Sequence, residues 1–276
     1  MFRKLVAVCF AMLLPLMAAS TVSAWAAAPA AQKHFTLPAP VPCPRCWHPD
    51  VQTSWQWQLS GVLDTTLDVQ MYDVDMFDTT AVQVQAIQDA GHYAICYIDA
   101  GTWENFRPDA SEFPKSVRGL SNGWPGERWL DIRSTAIRPI MAARMDQCAQ
   151  KGFDGVEFDN VDGYANKTGF PITAHDQLRY DVWLANQAHM RELSVALKND
   201  LGQVNRLLPY FDYALDEQCF QYHECSLLKP FVAAGRPVFE VEYKLAPSAF
   251  CTKANALDFN SLVKTIDLGA FRESCR

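Results

Sequence analysis

Residues 152–164 read "GFDGVEFDNVDGY" and set four carboxylates, Asp154, Glu157, Asp159 and Asp162, in a run otherwise apolar enough for a buried strand. Successive strand side chains point to opposite faces. Val156 and Phe158 therefore share one face, and Gly155, Glu157 and Asp159 the other. If the apolar pair packs against helices, the two acids face the interior of a curled sheet, with Asp159 near the rim. Glu157 then lies one layer deeper, where a carboxylate must be paired or protonated. Asp154 precedes the strand and Asp162 sits in an Asp-Gly turn, so both read as turn residues.

Outward from this stretch, further short apolar runs read as strands at 55–59 (WQWQL), 69–74 (VQMYDV), 93–98 (YAICYI), 128–132 (RWLDI), 194–199 (SVALKN), 213–217 (YALDE) and 238–243 (VFEVEY). Helix-period faces lie between several of them: Val82, Ala86, Ile87 and Ala90; Ile137, Ile140, Met141 and Met145; and Leu178, Val182, Ala185 and Ala188. A last helix is expected over 257–266. Strands alternating with helices predict an α/β fold, and eight such units predict a single-domain (β/α)8 TIM barrel. The alternative, a doubly wound open sheet, calls for a glycine-rich phosphate loop after the first strand, but "QLSGVLDTT" carries one glycine and no GxGxxG.

The chain begins with Arg3 and Lys4, an apolar run over 5–19 and small residues near 22–24, the layout of a secretory signal peptide. The expected organisation is a signal peptide over 1–24, an Ala/Pro-rich linker or arm over 25–52 and the barrel over 53–276. No later stretch approaches the ~20 continuous apolar residues of a membrane span, so a secreted or periplasmic protein is expected. Losing Arg3 and Lys4 takes the formal charge from −7 to −9, and no basic run exists to follow a phosphate backbone. Nucleic acid is therefore not the expected partner, and a cationic substrate is electrostatically favoured. No partner chain is implied, and a monomer is expected. Apart from Cys9, eight cysteines remain, an even number that reads as disulfides after an export signal. Cys219 with Cys225, and Cys251 with Cys275, are the expected local pairs, and "CPRC" at 43–46 reads as structural, with a zinc half-site or redox pair as the alternatives.

The strand ends carry the chemistry. Asp73, Asp75, Asp99, Asp131, Glu157, Asp159, Lys198, Asn199, Asp200, Asp216 and Glu217 lie at or beside strand C-termini, where barrel enzymes place their sites. A carboxylate-rich mouth suits glycoside hydrolysis, which uses one carboxyl as acid and another as nucleophile or base. Asp159 and Glu217 are the candidate catalytic pair, with Asp200 as the alternative nucleophile. Lys198, alone in an apolar strand, is the expected partner of Glu157. Trp103, Trp124, Tyr164, Phe220 and Tyr243 can stack on sugar rings, whereas Trp55 and Trp57 read as core or barrel-bottom residues. The candidate substrate-binding set is Asp73, Asp99, Trp103, Trp124, Glu157, Asn160, Tyr164, Lys198, Asp200 and Tyr243. The six histidines form no HxH or HExxH, and GxSxG is absent, so neither a zinc hydrolase nor a serine nucleophile is indicated, and no metal or cofactor is expected.

The motifs "WQWQLSG", "YDVDMFDT", "YIDAGTWENFRPD", "GWPGERWLDIR", "GFDGVEFDNVDGY", "LKND", "DEQCFQYHEC" and "VFEVEY" resemble, in this order, those of glycoside hydrolase family 114, the endo-α-1,4-polygalactosaminidases. The resemblance runs from Trp55 to about Cys275. It implies a secreted (β/α)8 barrel that cuts α-1,4-linked galactosamine polymers, with catalytic carboxyls at Asp159 and Glu217. Phe158 and Asp216 depart from the family's frequent Pro and Asn; a carboxylate at 216 is expected to raise the Glu217 pKa. The remaining alternatives are a barrel that binds polysaccharide without cutting it and a metal-dependent phosphodiesterase.

Overall fold

Eight parallel strands follow one another around a curled sheet in the computed structural model, which describes residues 36–276. The signal-peptide segment lies outside the described residues. The strands are β1 (Trp55–Gln58), β2 (Met71–Asp75) and β3 (Tyr93–Asp99), then, after a small antiparallel hairpin of β4 (Thr102–Glu104) and β5 (Glu127–Trp129), β6 (Gly155–Asp159), β7 (Ser194–Lys198), β8 (Tyr213–Glu217), β9 (Val238–Glu242) and β10 (Phe259–Val263). A two-residue β11 (Glu273–Ser274) adds antiparallel to β10. No ladder joins β1 to β10 among the described residues, so the sheet is open at this seam. Bonds outside the ladder span it: Trp55 Nε1 donates to the Asn260 carbonyl at 2.8 Å, Lys264 Nζ to Gln56 Oε1 at 3.2 Å, and the Leu59 amide to the Leu268 carbonyl at 2.9 Å.

Seven of the sequence-read strands are present, and two assignments need correction. Residues 128–132 belong to no strand of the main sheet; their apolar side chains Trp129, Leu130 and Ile132 are buried beneath the β4–β5 hairpin and the loop after it. The eighth strand is β10, inside the segment read as a helix. Its polar Asn260 and Ser261 hid it, since both are buried and Asn260 Nδ2 donates to the Val51 carbonyl.

Strand alternation divides the apolar residues into two cores. Trp55, Trp57, Met71, Ile95, Ala196, Tyr213, Leu215, Phe239, Val241 and Leu262 fill the inside of the curl. Val156, Phe158, Val195, Leu197 and Ala214 face outward. Against them pack α1 (Ala81–Asp89), α2 (Arg138–Lys151), α3 (Ala174–His189), the short α4 (Val204–Leu207), α5 (Cys219–Tyr222) and α6 (Lys229–Ala233), and α7 (Pro247–Ala256). α1 and α3 each start with a capping box, from Thr80 and Thr173, which satisfies two orphan amide donors. In α1 the apolar face is turned from the expected one: Val84 and Ile87 are buried while Val82 is exposed.

The two expected local disulfides form, as does Cys43–Cys46. The fourth, Cys96–Cys148, joins β3 to α2 across a sequence separation of 52, with both cysteines fully buried. A loop of that length restricts the unfolded chain by ~4 kcal/mol. The double variant Cys96→Ala/Cys148→Ala is expected to lower unfolding free energy by ~2–4 kcal/mol in denaturant titration; an unchanged midpoint would contradict the assignment of stability to this cross-link.

Candidate active site

The C-terminal ends of β3, β6, β7 and β8 meet at one ammonium group. Lys198 Nζ donates to Asp159 Oδ1 at 2.8 Å and to Glu217 Oε2 at 2.6 Å. The Tyr97 hydroxyl donates to Asp159 Oδ2 at 2.7 Å, and the Asn160 amide donates to Oδ1 at 2.8 Å. Tyr243 donates its hydroxyl to Glu217 Oε1, while the Glu217 amide is held by Asn199 Oδ1 at 3.0 Å. Register explains the convergence, because Asp99 pairs with Asp159 across β3–β6 and Lys198 with Leu215 across β7–β8. Close backbone approach helps, since a Cβ on Gly101 would lie 1.7 Å from the Asn160 carbonyl oxygen.

Burial pushes the Asp159 carboxyl up, but Lys198, Tyr97 and the Asn160 amide outweigh it and hold this pKa below the usual carboxylate range. Lys198 itself is buried, which disfavours its charge, yet Asp159 and Glu217 beside it raise its pKa well above the ordinary lysine value. Directly beneath, Asp73 and Glu157 are fully buried and no carboxyl oxygen of either meets a donor among the described residues. Two acceptor-only groups side by side require a proton on one of them. Burial, and for Glu157 next the Asp73 carboxyl, pushes both pKa values well up.

The cleft above this pair has a volume of about 440 Å³, and its walls include Trp57, Tyr97, Trp124, Glu127, Asn160 and Tyr243. Trp124 is half exposed, and Trp57 lies with its ring centroid 5.3 Å from Lys198 Nζ, a cation–π contact. One wall is built from Arg107, which grips Asp75 with two bonds of 2.9 and 2.6 Å and lies 2.8 Å from Glu104. Asp99, Glu104 and Glu127 bring carboxylate oxygens within 4.8 Å of one another. Protein donors already serve this group: Thr102 and Asn160 bond Asp99, Asn122 bonds Glu127 at 2.6 Å, and Arg107 faces Glu104.

The sequence model of glycoside-hydrolase family GH114 matches residues 38–276. The chain belongs to family GH114 and is a glycoside hydrolase. The GH114 chain is similar to Aspergillus fumigatus Ega3, solved in complex with galactosamine, with 36% identity, a TM-score of 0.80 and coverage of 88% of this chain and 100% of that one. The glycoside hydrolase domain of PelA from Pseudomonas aeruginosa shares the fold at 14% identity, with a TM-score of 0.64 over 80% of this chain and 97% of that domain. An uncharacterised protein of Deinococcus radiodurans is 25% identical over 226 residues, covering 70% of this chain and 73% of that one.

Of the sequence-derived candidates, Asp159, Glu217, Asn160, Lys198, Trp124 and Tyr243 line the GH114 cleft. Asp73, Asp99 and Glu157 do not line it and are buried; of the three, Asp99 accepts from the cleft residue Asn160 at 3.1 Å. Trp103 is also absent from the cleft: its indole donates to the Ala110 carbonyl at 2.9 Å and lies under the Arg118 guanidinium. Tyr164 and Asp200 line a neighbouring pocket instead. The expected Lys198–Glu157 ion pair is replaced by the two bonds to Asp159 and Glu217, because the long lysine side chain reaches up to the rim. Asp216 is buried and one residue from Glu217 on β8, so its side chain points to the opposite face. Asp154 has a structural role, accepting from the Ala94 amide at 2.8 Å, whereas Asp162 also lines the cleft. Trp57 belongs to the inner core, as expected, and also lines the cleft. Tyr97 and Glu127 went unrecognised in the sequence; the strand "YAICYID", read two residues at a time from Ile95, puts Tyr97 and Asp99 on the inner face and was the available signal.

Tyr97→Phe removes one charge-assisted bond to Asp159, worth ~1.5–3 kcal/mol. A fall in kcat/KM of about ten- to a hundredfold is expected on any cleaved substrate, with the acid limb of the pH profile moved upward; an unmoved limb would contradict the link between Tyr97 and the Asp159 charge.

The buried acids also set a pH dependence of stability. Burial raises Asp73, Glu157, Asp181, Asp216 and Glu240 well above their ordinary values, Asp99 and Glu127 to about 7 and Asp200 to about 8. The fold therefore holds protons that the unfolded chain releases near pH ~4. Their contribution to stability is complete below that pH and is lost as pH rises through the folded values. The thermal midpoint is expected to fall by ~5–10 °C from about pH 5 to about pH 8.5; a rise over that interval would contradict the protonated state of these groups.

Proposed function

We propose that this protein is an endo-glycosidase that hydrolyses α-1,4-linked galactosamine polysaccharide, with Asp159 as nucleophile and Glu217 as acid and base. The observation that carries the reading is the single ammonium bridging the two carboxylates. Retaining glycosidases place their carboxyls ~5–5.5 Å apart and inverting ones ~6.5–9.5 Å. Hydrogen bonds of 2.8 and 2.6 Å, even laid end to end, hold the bridged oxygens closer than the inverting range. The depressed pKa of Asp159 keeps it ionised for attack, which leaves the proton-carrying role to Glu217. In the first step an Asp159 oxygen bonds to the anomeric carbon, the glycosidic C–O bond breaks, and the Glu217 proton passes to the departing oxygen. In the second, water attacks the same carbon, Glu217 takes its proton, and the Asp159 ester bond breaks.

The substrate follows from two supports: similarity to Ega3, solved with galactosamine, and a cleft whose acids outnumber its bases. Free galactosamine is cationic near neutral pH and is drawn to such a cleft. Further parts of the reading are a leader over 1–24 followed by an arm to residue 52, export to an oxidising compartment, and action as a monomer. Four disulfides support the compartment. Among the described residues no helix is long and apolar enough to cross a membrane. The bonds across the β1–β10 seam support a functionally closed (β/α)8 barrel. The test is incubation with defined galactosamine polymer: new reducing ends with internal cleavage products are expected, while retention of polymer without new ends would show a binder only.

A further inference from the structure

The loop that follows β10 builds part of the catalytic cleft, to which it contributes Ile266, Asp267 and Leu268 beside Leu59 of the β1–β2 loop. Leu268 holds a left-handed backbone, φ 49°, and a residue other than glycine keeps that conformation only where its surroundings impose it. Three successive carbonyls of the loop each meet a donor. The Leu59 amide reaches the Leu268 carbonyl at 2.9 Å, Lys264 Nζ reaches that of Gly269 at 2.7 Å, and Gln56 Nε2 reaches that of Ala270 at 2.8 Å. Gln56 links the set, because its Oε1 accepts both from Lys264 Nζ at 3.2 Å and from the Trp57 amide at 3.1 Å. Trp57 is itself a wall of the cleft. Lys264 therefore ties the loop to β1 at the point where β1 enters the site.

The lysine is 1% exposed and Gln56 is fully buried. Its ammonium bonds two neutral oxygens rather than a carboxylate. Arg272 and Asp267 are the charged groups that act on it. Glu242, on the neighbouring β9, turns its side chain to the Phe220 and Gln221 amides, and Glu273 on β11 is exposed. A buried ammonium with no bonded counter-ion depends on its hydrogen bonds, and these are about twice as strong while the donor is charged. Burial, with Arg272 next, lowers Lys264 to about 8, so the strength of the tie changes close to neutral pH.

We propose that Lys264 is a positioning residue for the reaction: its ammonium fixes the 265–270 loop to β1, which sets Ile266, Asp267 and Leu268 against the sugar, and this wall loosens when the ammonium gives up its proton. The inference rests on the glycosidase reading above. Lys264 lies outside the cleft and bonds neither Asp159 nor Glu217, so its loss acts on substrate binding rather than on the chemical step.

The experiment measures kcat and KM of wild type, Lys264→Met and Lys264→Arg on galactosamine oligomers from about pH 6.5 to about pH 9.5. The readout is the ratio of variant to wild type at each pH, in which titration of the substrate amines and of the catalytic carboxyls cancels. Lys264→Met resembles the deprotonated state at every pH. It is expected to raise KM about tenfold at pH ~6.5, with kcat within about threefold of wild type, and its KM ratio approaches one by pH ~9.5. Lys264→Arg stays charged throughout, so its KM relative to wild type falls over the same interval. A Lys264→Met ratio that does not change with pH, or a loss carried by kcat with KM unmoved, overturns the proposal and leaves Lys264 as part of the seam alone. Native amide exchange of the wild type gives a readout that needs neither a folded variant nor cleavage. The Leu59 and Ser60 amides bond the Leu268 carbonyl, and the Leu268 amide bonds that of Thr265. After correction for intrinsic rates, their protection relative to β3 amides is expected to fall at least about fivefold between pH ~6.5 and pH ~9.5; unchanged relative protection also overturns the proposal. A wild type that cuts no oligomer sinks the hydrolase reading, and the exchange result then decides whether Lys264 holds the loop.

Discussion

Asp159→Asn and Glu217→Gln are each expected to abolish reducing-end release from galactosamine polymer, with kcat down ~10⁴-fold or more for the first and ~10²–10⁴-fold for the second. Asp159 accepts from Lys198, Tyr97 and the Asn160 amide. An asparagine there keeps the shape of the side chain while losing both the charge and the nucleophilic oxygen. Lys198 and Tyr243 donate to different oxygens of Glu217, so Glu217→Gln keeps one of those two contacts and removes the transferable proton. The two losses should separate by leaving group. With an aryl leaving group that departs without protonation, Glu217→Gln forms the glycosyl-enzyme readily and stalls at its hydrolysis, whereas Asp159→Asn stays inactive. Thermal midpoints near that of wild type distinguish lost chemistry from lost fold. Wild-type turnover in either variant would mean that the reacting carboxyl lies elsewhere.

Lys198→Met carries the second large effect. The ammonium is buried and bonds Asp159 and Glu217 at once; without it both side chains lose that donor. The Asp159 pKa then rises, because Lys198 is the largest influence holding it down, and the proposed nucleophile is no longer ionised across the working range. A fall in kcat/KM of ~10²–10³-fold is expected, together with an upward move of the acid limb that partial recovery at higher pH would reveal. Removing one partner of a buried pair typically costs ~3–5 kcal/mol. Here the cost should be smaller near pH ~5, where the two acids can take up a proton, and should grow toward pH ~8. A Lys198→Met enzyme with an unmoved acid limb would contradict the assignment of the Asp159 charge to Lys198.

Strand alternation was enough to read the depth of Glu157 and Asp159, since a period of two fixes which face each side chain takes. It could not name their neighbours. Lys198 shares a face with both acids, and only the β6–β7–β8 register together with the length of its side chain decides that it serves Asp159 and Glu217. Glu157 is left to Asp73, two strands away on β2. Tyr97 escaped for the same reason: its contact with Asp159 spans 62 residues of sequence. The errors in element assignment have a common cause. Trp129, Leu130 and Ile132 are apolar because a loop over the sheet mouth needs its own anchor, while Asn260 and Ser261 are polar inside a real strand because their side chains face buried partners at the seam. Hydrophobic patterning records burial, not the kind of element that is buried. Local disulfides were legible from spacing alone; Cys96–Cys148 was not, because only the packing of α2 on β3 brings the two together.

The most direct measurement is the anomeric form of the first product, followed by proton NMR during hydrolysis of a galactosamine oligomer. Attack by Asp159, with Glu217 within the reach of one shared ammonium, predicts two successive inversions. The new reducing end should therefore appear as the α-anomer and mutarotate only afterwards. Initial release of the β-anomer would show that water, not Asp159, attacks the anomeric carbon, and would contradict the account.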